Sequence, residues 1–206
     1  GTDVRARRVL LAMGMEYRPP DLPGLEAIWG SSVFHCPFCH GWEVRGQPLA
    51  VMADGERAVH MAKLLRGWSD NVVLLTGGGN LDAAQRACLS AGQVPVDDRE
   101  VASLDSEDGE LTAVVFADGS RLPRRGLLVA ATLHQRTDLA AQLGVKFVAP
   151  GPVSVEAVEI DAFHRTSVPG VFAAGDVCAQ MPQIAAAIAA GSGAAISMVQ
   201  SLMEEE

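Results

Sequence analysis

The sequence predicts an α/β protein built on a doubly wound parallel sheet. Two observations carry this. Residues 48–75 run strand, glycine turn, amphipathic helix and strand within about 30 residues, the unit from which doubly wound folds are made. Short apolar runs at 9–12, 127–131 and 171–174, closed by arginine, glycine or turn residues, read as buried strands.

In chain order, residues 9–12 form a first strand, and Arg18-Pro19-Pro20-Asp21-Leu22-Pro23-Gly24 breaks regular structure as an inter-domain strap. Residues 48–52 are a strand, Gly55 begins a turn, and 57–66 form a helix with Val59, Ala62, Leu65 and then Trp68 near one face. Residues 71–75 are the next strand. A helix over 82–90 ends at Gly92, strands follow near 94–96 and 101–104, and 105–110 reads as an acidic, solvated turn. Residues 111–116 return as a strand, and Asp118-Gly119 turns the chain into 121–123. After the strand at 127–131, a short helix at 138–143 is closed by Gly144. The strand at 171–174 ends in Gly175-Asp176, and a long Ala-rich helix begins near Pro182.

Composition excludes several classes. Sixteen Lys or Arg against 25 Asp or Glu give a net charge of −9, which argues against a nucleic-acid partner held through phosphates. An apolar content of 49% with 20% charged residues argues against disorder. Four cysteines in 206 residues are too few for a disulfide-built scaffold, and Cys88 and Cys178 read as buried packing. Residues 177–203 carry no charge and are long enough to span a bilayer, but their Ala, Gly, Ser and Gln content predicts a soluble helix packed closely on all sides. No membrane partner is expected.

Three sites could carry chemistry. His35-Cys36-Pro37-Phe38-Cys39-His40-Gly41 places two thiols at i and i+3. That spacing can close a strained, exchangeable disulfide and lowers one thiol pKa to roughly 3.5–7.5. Zinc would need a second pair of ligands, and no other Cys-x-x-Cys or close His pair exists, so no metal is expected. Attachment of c-type haem shares the spacing but not the surrounding α/β segments, and purely structural thiols are the remaining alternative. The second site is the corner Ala53-Asp54-Gly55-Glu56-Arg57-Ala58, where dinucleotide folds carry Gly-x-Gly-x-x-Gly/Ala. Gly55 still admits a pyrophosphate near a helix N-terminus, whereas Ala53 replaces the first glycine and Asp54 and Glu56 add negative charge. The following Leu75-Thr76-Gly77 has neither an acid for a ribose nor an arginine for a 2′-phosphate. The third is Asp176, projected from the end of a buried strand toward a helix start at Gln183-Ile184, or alternatively a simple turn residue.

The order Ala12-Met13-Gly14, Pro23-Gly24, Cys36-x-x-Cys39, a degenerate glycine corner, Thr-Ser-Val-Pro-Gly-Val-Phe-Ala-Ala-Gly-Asp176 and Ala190-Gly191-x-Gly193-x-Ala195 resembles the low-molecular-weight thioredoxin reductase family. Cys-Pro-Phe-Cys-His-Gly is similar to the reductase-like branch, which includes dithiol oxidases of disulfide natural products. The resemblance implies a Rossmann-like pyridine-nucleotide domain at 30–155, carrying the dithiol and inserted in an incomplete FAD-binding domain formed by 1–29 and 156–206. It implies that Cys39 contacts a flavin, Cys36 attacks substrate and His40 shuttles the proton. Asp176 would bind the ribityl chain, the Gln183 and Ile184 backbone the pyrimidine edge, Gly14 would lie near the flavin, and Gly55 would meet the nucleotide. His35 receives no role.

The implied cofactors are FAD and NADPH or NADH, with a thioredoxin-like protein or small disulfide or dithiol as partner, in a cytoplasmic homodimer. Domain rotation about linkers near 23–29 and 155–161 is expected. No Gly-x-Gly-x-x-Gly precedes residue 53, so the start at Gly1 reads as a cut through the FAD domain. Two alternatives stand beside a reductase: an FAD-dependent dithiol oxidase returning electrons to oxygen, and a truncated chain that binds a partner without catalysis.

Overall fold

The computed structural model describes residues 4–178 and 182–204. Residues 1–3, on which the expected cut falls, lie outside the described residues. The strands are β1 (Val9–Leu11), β2 (Met15–Arg18), β3 (Val33–Phe34), β4 (Leu49–Met52), β5 (Val72–Leu75), β6 (Val96–Asp97), β7 (Val101–Glu107), β8 (Glu110–Phe116), β9 (Arg121–Pro123), β10 (Gly126–Val129), β11 (Thr132–Gln135) and β12 (Val171–Ala173). The α-helices are α1 (Pro37–His40), α2 (Gly55–Leu65), α3 (Ala83–Ala91), α4 (Leu139–Gln142) and α5 (Ile184–Met203). The chain divides into two compact units, Pro19–Ala130 and Gly1–Arg18 with Ala131–Glu206.

The Pro19–Ala130 unit is built on a five-stranded sheet in the order β3-β10-β4-β5-β6, every pair parallel. Its strands are apolar on both faces because both are covered. Leu49 and Val51 of β4, Val72 and Leu74 of β5 and Leu128 of β10 join one core cluster with Ala58, Met61, Ala62 and Leu65 of α2 and Leu89 of α3. Their neighbours Ala50, Val73, Leu75, Leu127 and Val129 point the other way. That second cluster includes Leu104, Leu111, Val114 and Phe116 of the antiparallel sheet β7-β8-β9. Period-two alternation within each strand thus fills two cores at once. A capping box starts α3, with Gln85 N–H donating to the Asp82 carboxylate at 2.7 Å and Asp82 N–H to the Gln85 side chain at 2.9 Å.

One consequence positions the site. Since all five strands run the same way, His35-Cys36, Ala130, Asp54-Gly55, Thr76 and Asp98 all leave the sheet at its carboxyl edge. The chain winds from β4 to β5 to β6 and returns as β10 on the other side of β4. The switch point, where ligands bind such sheets, lies between β4 and β10.

In the other unit β1 pairs in parallel with β12, and β2 pairs antiparallel with β11. Leu11, Met15, Leu133, Ala140, Val145, Val158, Val171, Ala173 and Val177 form its core.

The structure departs from expectation at four places. The units divide at 18/19 and 130/131, not at 29/30 and 155/156. Pairing of Thr132–Gln135 with Met15–Arg18 draws the segment after 130 into the unit that holds β1 and β2. Leu25 and Ile28, 3% and 1% exposed, anchor the strap segment in the Pro19–Ala130 unit. Residues 105–110 are not a loop: β7 extends to Glu107 and pairs with β8, and only Asp108 and Gly109, both at positive φ, make the turn. The strands β2, β3 and β11 were not expected. Finally, α5 is not packed on all sides. Among its residues only Ala194 and Ser197 are buried, whereas Ile184, Ile188, Ile196, Val199 and Met203 are each more than half exposed. It is long and apolar enough to cross a membrane by length and composition alone.

Candidate redox site

Phe34 ends β3, His35 follows, and Cys36 is the extended N-cap of α1 (φ −129°, ψ 111°). Pro37 occupies the first turn, where its fixed φ suits a helix start and its missing N–H costs nothing. The single turn closes with Cys39 N–H and His40 N–H both donating to the Cys36 carbonyl at 3.2 Å. It brings the two sulfurs to 2.7 Å, with the Cys39 thiol as donor and Cys36 as acceptor. Gly41 follows because no side chain fits there: a Cβ would strike the Pro37 carbonyl and come within 2.8 Å of the Trp68 ring.

Burial, and secondly the hydrogen bond and charge of Cys36, push the Cys39 thiol up to about 11. Cys39 is therefore not the thiol whose pKa this spacing was expected to lower. His40 stacks on Phe34, ring centroids 5.8 Å apart, and its Nδ1 is buried without a hydrogen-bond partner. Burial lowers the pKa of His35, and the nearby charges of His40 and Arg57 lower it further. Phe38, between the two thiols in sequence, and Trp42, three residues after Cys39, are 69% and 61% exposed. The sequence alone signalled neither this apolar rim nor Arg57.

At the corner after β4, Asp54 is the extended N-cap of α2 and makes no side-chain cap. Gly55 sits at φ +55°, and nothing lies within 4 Å of where its Cβ would be. The space a pyrophosphate needs above a helix N-terminus is thus present. Gly77 and Gly78, after β5, are likewise at positive φ with open space above them. The residues present fit a dinucleotide.

In the other unit, Leu11 of β1 lies opposite Ala173 of β12, so Gly14 and Asp176 leave the pair at one edge. The Tyr17 hydroxyl donates to the Asp176 carboxylate at 3.5 Å. Asp176 stands in the 3-10 turn Gly175–Cys178, with Gly175 at φ +78° against Ala187 of α5, 3.6 Å from where its Cβ would be. Gln183 is the extended N-cap of α5 with no side-chain cap, which leaves the helix's first N–H groups uncapped by it beside Ile184. Burial, then the Asp176 charge, push the Cys178 thiol up to about 11. Gly14, Tyr17, Asp176 and the start of α5 suit an uncharged polar chain and a ring edge rich in acceptors. Among the described residues no group of His, Cys, Asp and Glu could hold a metal ion.

A parallel-sheet unit with a Cys-x-x-Cys turn at its carboxyl edge, and a second unit whose strand ends in Gly-Asp, define a protein of dinucleotide-binding type. The chain belongs to the pyridine nucleotide-disulphide oxidoreductase family, whose model matches residues 1–191. Thioredoxin reductase aclD of Aspergillus oryzae is 31% identical over 98% of the chain and 66% of its own length. Thioredoxin reductase tcpT of Claviceps purpurea is 33% identical over 93% of the chain and 61% of its own length. The crystal structure of HlmI superposes with a TM-score of 0.87 at 38% identity, over 96% of this chain and 61% of that one. An oxidoreductase from Agrobacterium tumefaciens gives a TM-score of 0.87 at 32% identity, over 97% of this chain and 65% of that one. The chain thus spans somewhat under two thirds of these relatives.

Proposed function

We propose that the protein is a flavin-dependent disulfide oxidoreductase of thioredoxin reductase type. It passes electrons from NADH or NADPH through FAD to the Cys36–Cys39 pair, and from there to a disulfide substrate. The observation that carries this reading is the dithiol on α1, its sulfurs 2.7 Å apart and Cys39 the donor. When bound, FAD supplies a ring that accepts a hydride from the nicotinamide and yields two electrons to a disulfide.

The roles of this chain's residues follow from their chemistry. The Asp176 carboxylate, steadied by Tyr17, accepts hydrogen bonds from the ribityl hydroxyls. The N–H groups at Gln183 and Ile184 meet the acceptor edge of the pyrimidine, and Gly14 lets the backbone approach. Gly55 does the same for a pyridine nucleotide in the Pro19–Ala130 unit. Cys39 faces the flavin. Cys36, as thiolate, attacks one sulfur of the substrate disulfide, forms a mixed disulfide and releases the first thiol. Cys39 then attacks the Cys36 sulfur, the second thiol leaves, and the intramolecular disulfide is restored. His40 takes the Cys36 proton and returns it to the leaving sulfur, a task for which imidazole is suited near neutral pH.

The substrate is a thioredoxin-like protein or a small disulfide. An exposed Phe38 and Trp42 beside the thiols support an apolar docking contact for it. We place the enzyme in the cytoplasm, since a dithiol kept reduced by a pyridine nucleotide belongs in a reducing compartment, and as a homodimer, which only the family resemblance supports.

Substituting either thiol, Cys36→Ser or Cys39→Ser, tests the reading. Each should abolish disulfide turnover while leaving bound flavin unchanged, and activity retained in either would overturn the assignment. Flavin that neither nucleotide reduces, yet that reoxidises in air with peroxide formed, would replace the donor assignment with an oxidase.

A further inference from the structure

In dinucleotide folds an acid at the end of the second strand of the βαβ unit holds the adenosine ribose diol. Here that position is Thr76, just past β5, and the sequence shows no acid near it. The structure supplies one from the neighbouring strand. Asp98 leaves β6 at the same edge, and its Oδ1 accepts the Thr76 hydroxyl at 3.1 Å. Arg86 of α3 grips both oxygens of that carboxylate at 3.0 Å. Oδ1 therefore receives two donors and Oδ2 one, which leaves Oδ2 an acceptor site for a further hydroxyl. The Asp98 side chain is 52% exposed, so a ligand can reach it.

The surroundings complete a rim. The Thr76-Gly77-Gly78-Gly79 loop lies against the corner after β4, since a Cβ on Gly79 would come 3.3 Å from Asp54 Cβ. Gly77 and Gly78 leave open space above the loop. No Lys or Arg occurs from 76 to 85. The first arginine, Arg86, is committed to Asp98, and Arg99 is committed to Asp97 at 2.5 and 2.9 Å. These two arginines are thus held by carboxylates.

We propose that Asp98 is the ribose-diol acceptor of this unit and makes NADH, not NADPH, the preferred nucleotide. The inference rests on the pyridine-nucleotide reading given above. A free ribose 2′-hydroxyl donates to Asp98 Oδ2, whereas a 2′-phosphate meets a fixed carboxylate whose own arginine is already engaged. The hydrogen bond from Arg86 also lowers the Asp98 pKa from the ordinary aspartate value.

Isothermal titration calorimetry of the full chain with NADH and with NADPH reads this without turnover. NADH should bind about tenfold tighter than NADPH at low salt, as expected of one like-charge contact. In Asp98→Asn the carboxylate charge is gone and Arg86 is released toward the ligand, so the preference should vanish or reverse. NADPH binding as tightly as NADH to the unsubstituted protein overturns the inference and leaves the nucleotide reading intact. An unchanged ratio in Asp98→Asn does the same. Failure of both nucleotides to bind overturns the nucleotide reading itself. The comparison on the unsubstituted protein decides the matter even where the variant folds poorly.

Discussion

The Cys39 thiol donates to the Cys36 sulfur across 2.7 Å. Burial first and this contact second hold the Cys39 pKa near 11. At pH 8 Cys39 is therefore protonated, and Cys36 is the thiol assigned to attack. Brief treatment of the reduced protein with iodoacetamide should modify Cys36 before Cys39, as read by peptide mass mapping. Modification of Cys39 first would reverse the proposed division of labour.

Gly41→Ala should displace the dithiol turn. The new methyl group meets the Pro37 carbonyl and the Trp68 ring, both fixed in the fold. Overpacking of this kind costs about 1–3 kcal/mol, readable as a lower urea midpoint. Disulfide turnover should fall as well, because Pro37 is the first residue of α1. A variant as stable and as active as the parent would show that the turn yields easily.

His40→Gln keeps a polar side chain of similar reach beside Phe34 but removes the imidazole proposed to move the proton. Loss of a positioned acid–base group costs about 10²–10⁴-fold in rate. Turnover should drop by that order with the melting temperature little changed, and a pH–rate profile unaltered by the substitution would remove His40 from the proton path.

His35 gives a prediction of sign. Its folded pKa lies below the ordinary 6.5, through burial and the nearby His40 and Arg57. Its contribution to stability is present above the unfolded pKa and is lost as pH falls through the folded value. Urea unfolding between roughly pH 5 and 7 should show stability falling on the acid side, less so in His35→Gln. An NMR titration should place the ring below 6.5. A ring titrating above that value would contradict the burial seen here.

Asp176→Ala removes a carboxylate that the proposed function assigns to ribityl hydroxyls. Hydrogen bonds to a charged group contribute about 1.5–3 kcal/mol, so FAD should bind at least tenfold more weakly. Equilibrium dialysis of the flavin measures this, and unchanged affinity would return Asp176 to a turn residue.

The sequence made legible whatever is coded locally. The unit β4-α2-β5 follows from the continuous apolar run Leu49–Met52 and the helical spacing of Ala62 and Leu65. Val59 and Trp68, expected on the same face, are only partly buried, and Ala58 and Met61 complete it. The dithiol turn follows from Cys-Pro-x-Cys, and the Gly-Asp turn from the apolar strand before it. What required the structure was contact between segments distant in sequence. Thr76 and Asp98 are 22 residues apart and meet only because β5 pairs with β6. Met15–Arg18 and Thr132–Gln135 mix charged, polar and apolar residues and become strands by pairing with each other. That pairing is what moved the unit boundaries. For α5, Ala-rich composition foretells a helix but is silent on which faces are covered.

The central claim is that two electrons from a pyridine nucleotide arrive, through flavin, at Cys36 and Cys39. Its most direct measurement is anaerobic addition of one equivalent of NADH to the FAD-loaded protein in its disulfide form, followed by thiol counting and mass mapping. The account requires two new thiols per FAD, located at Cys36 and Cys39, with the flavin returned to its oxidised form. Flavin left oxidised with no new thiols, under NADH and under NADPH alike, would contradict it.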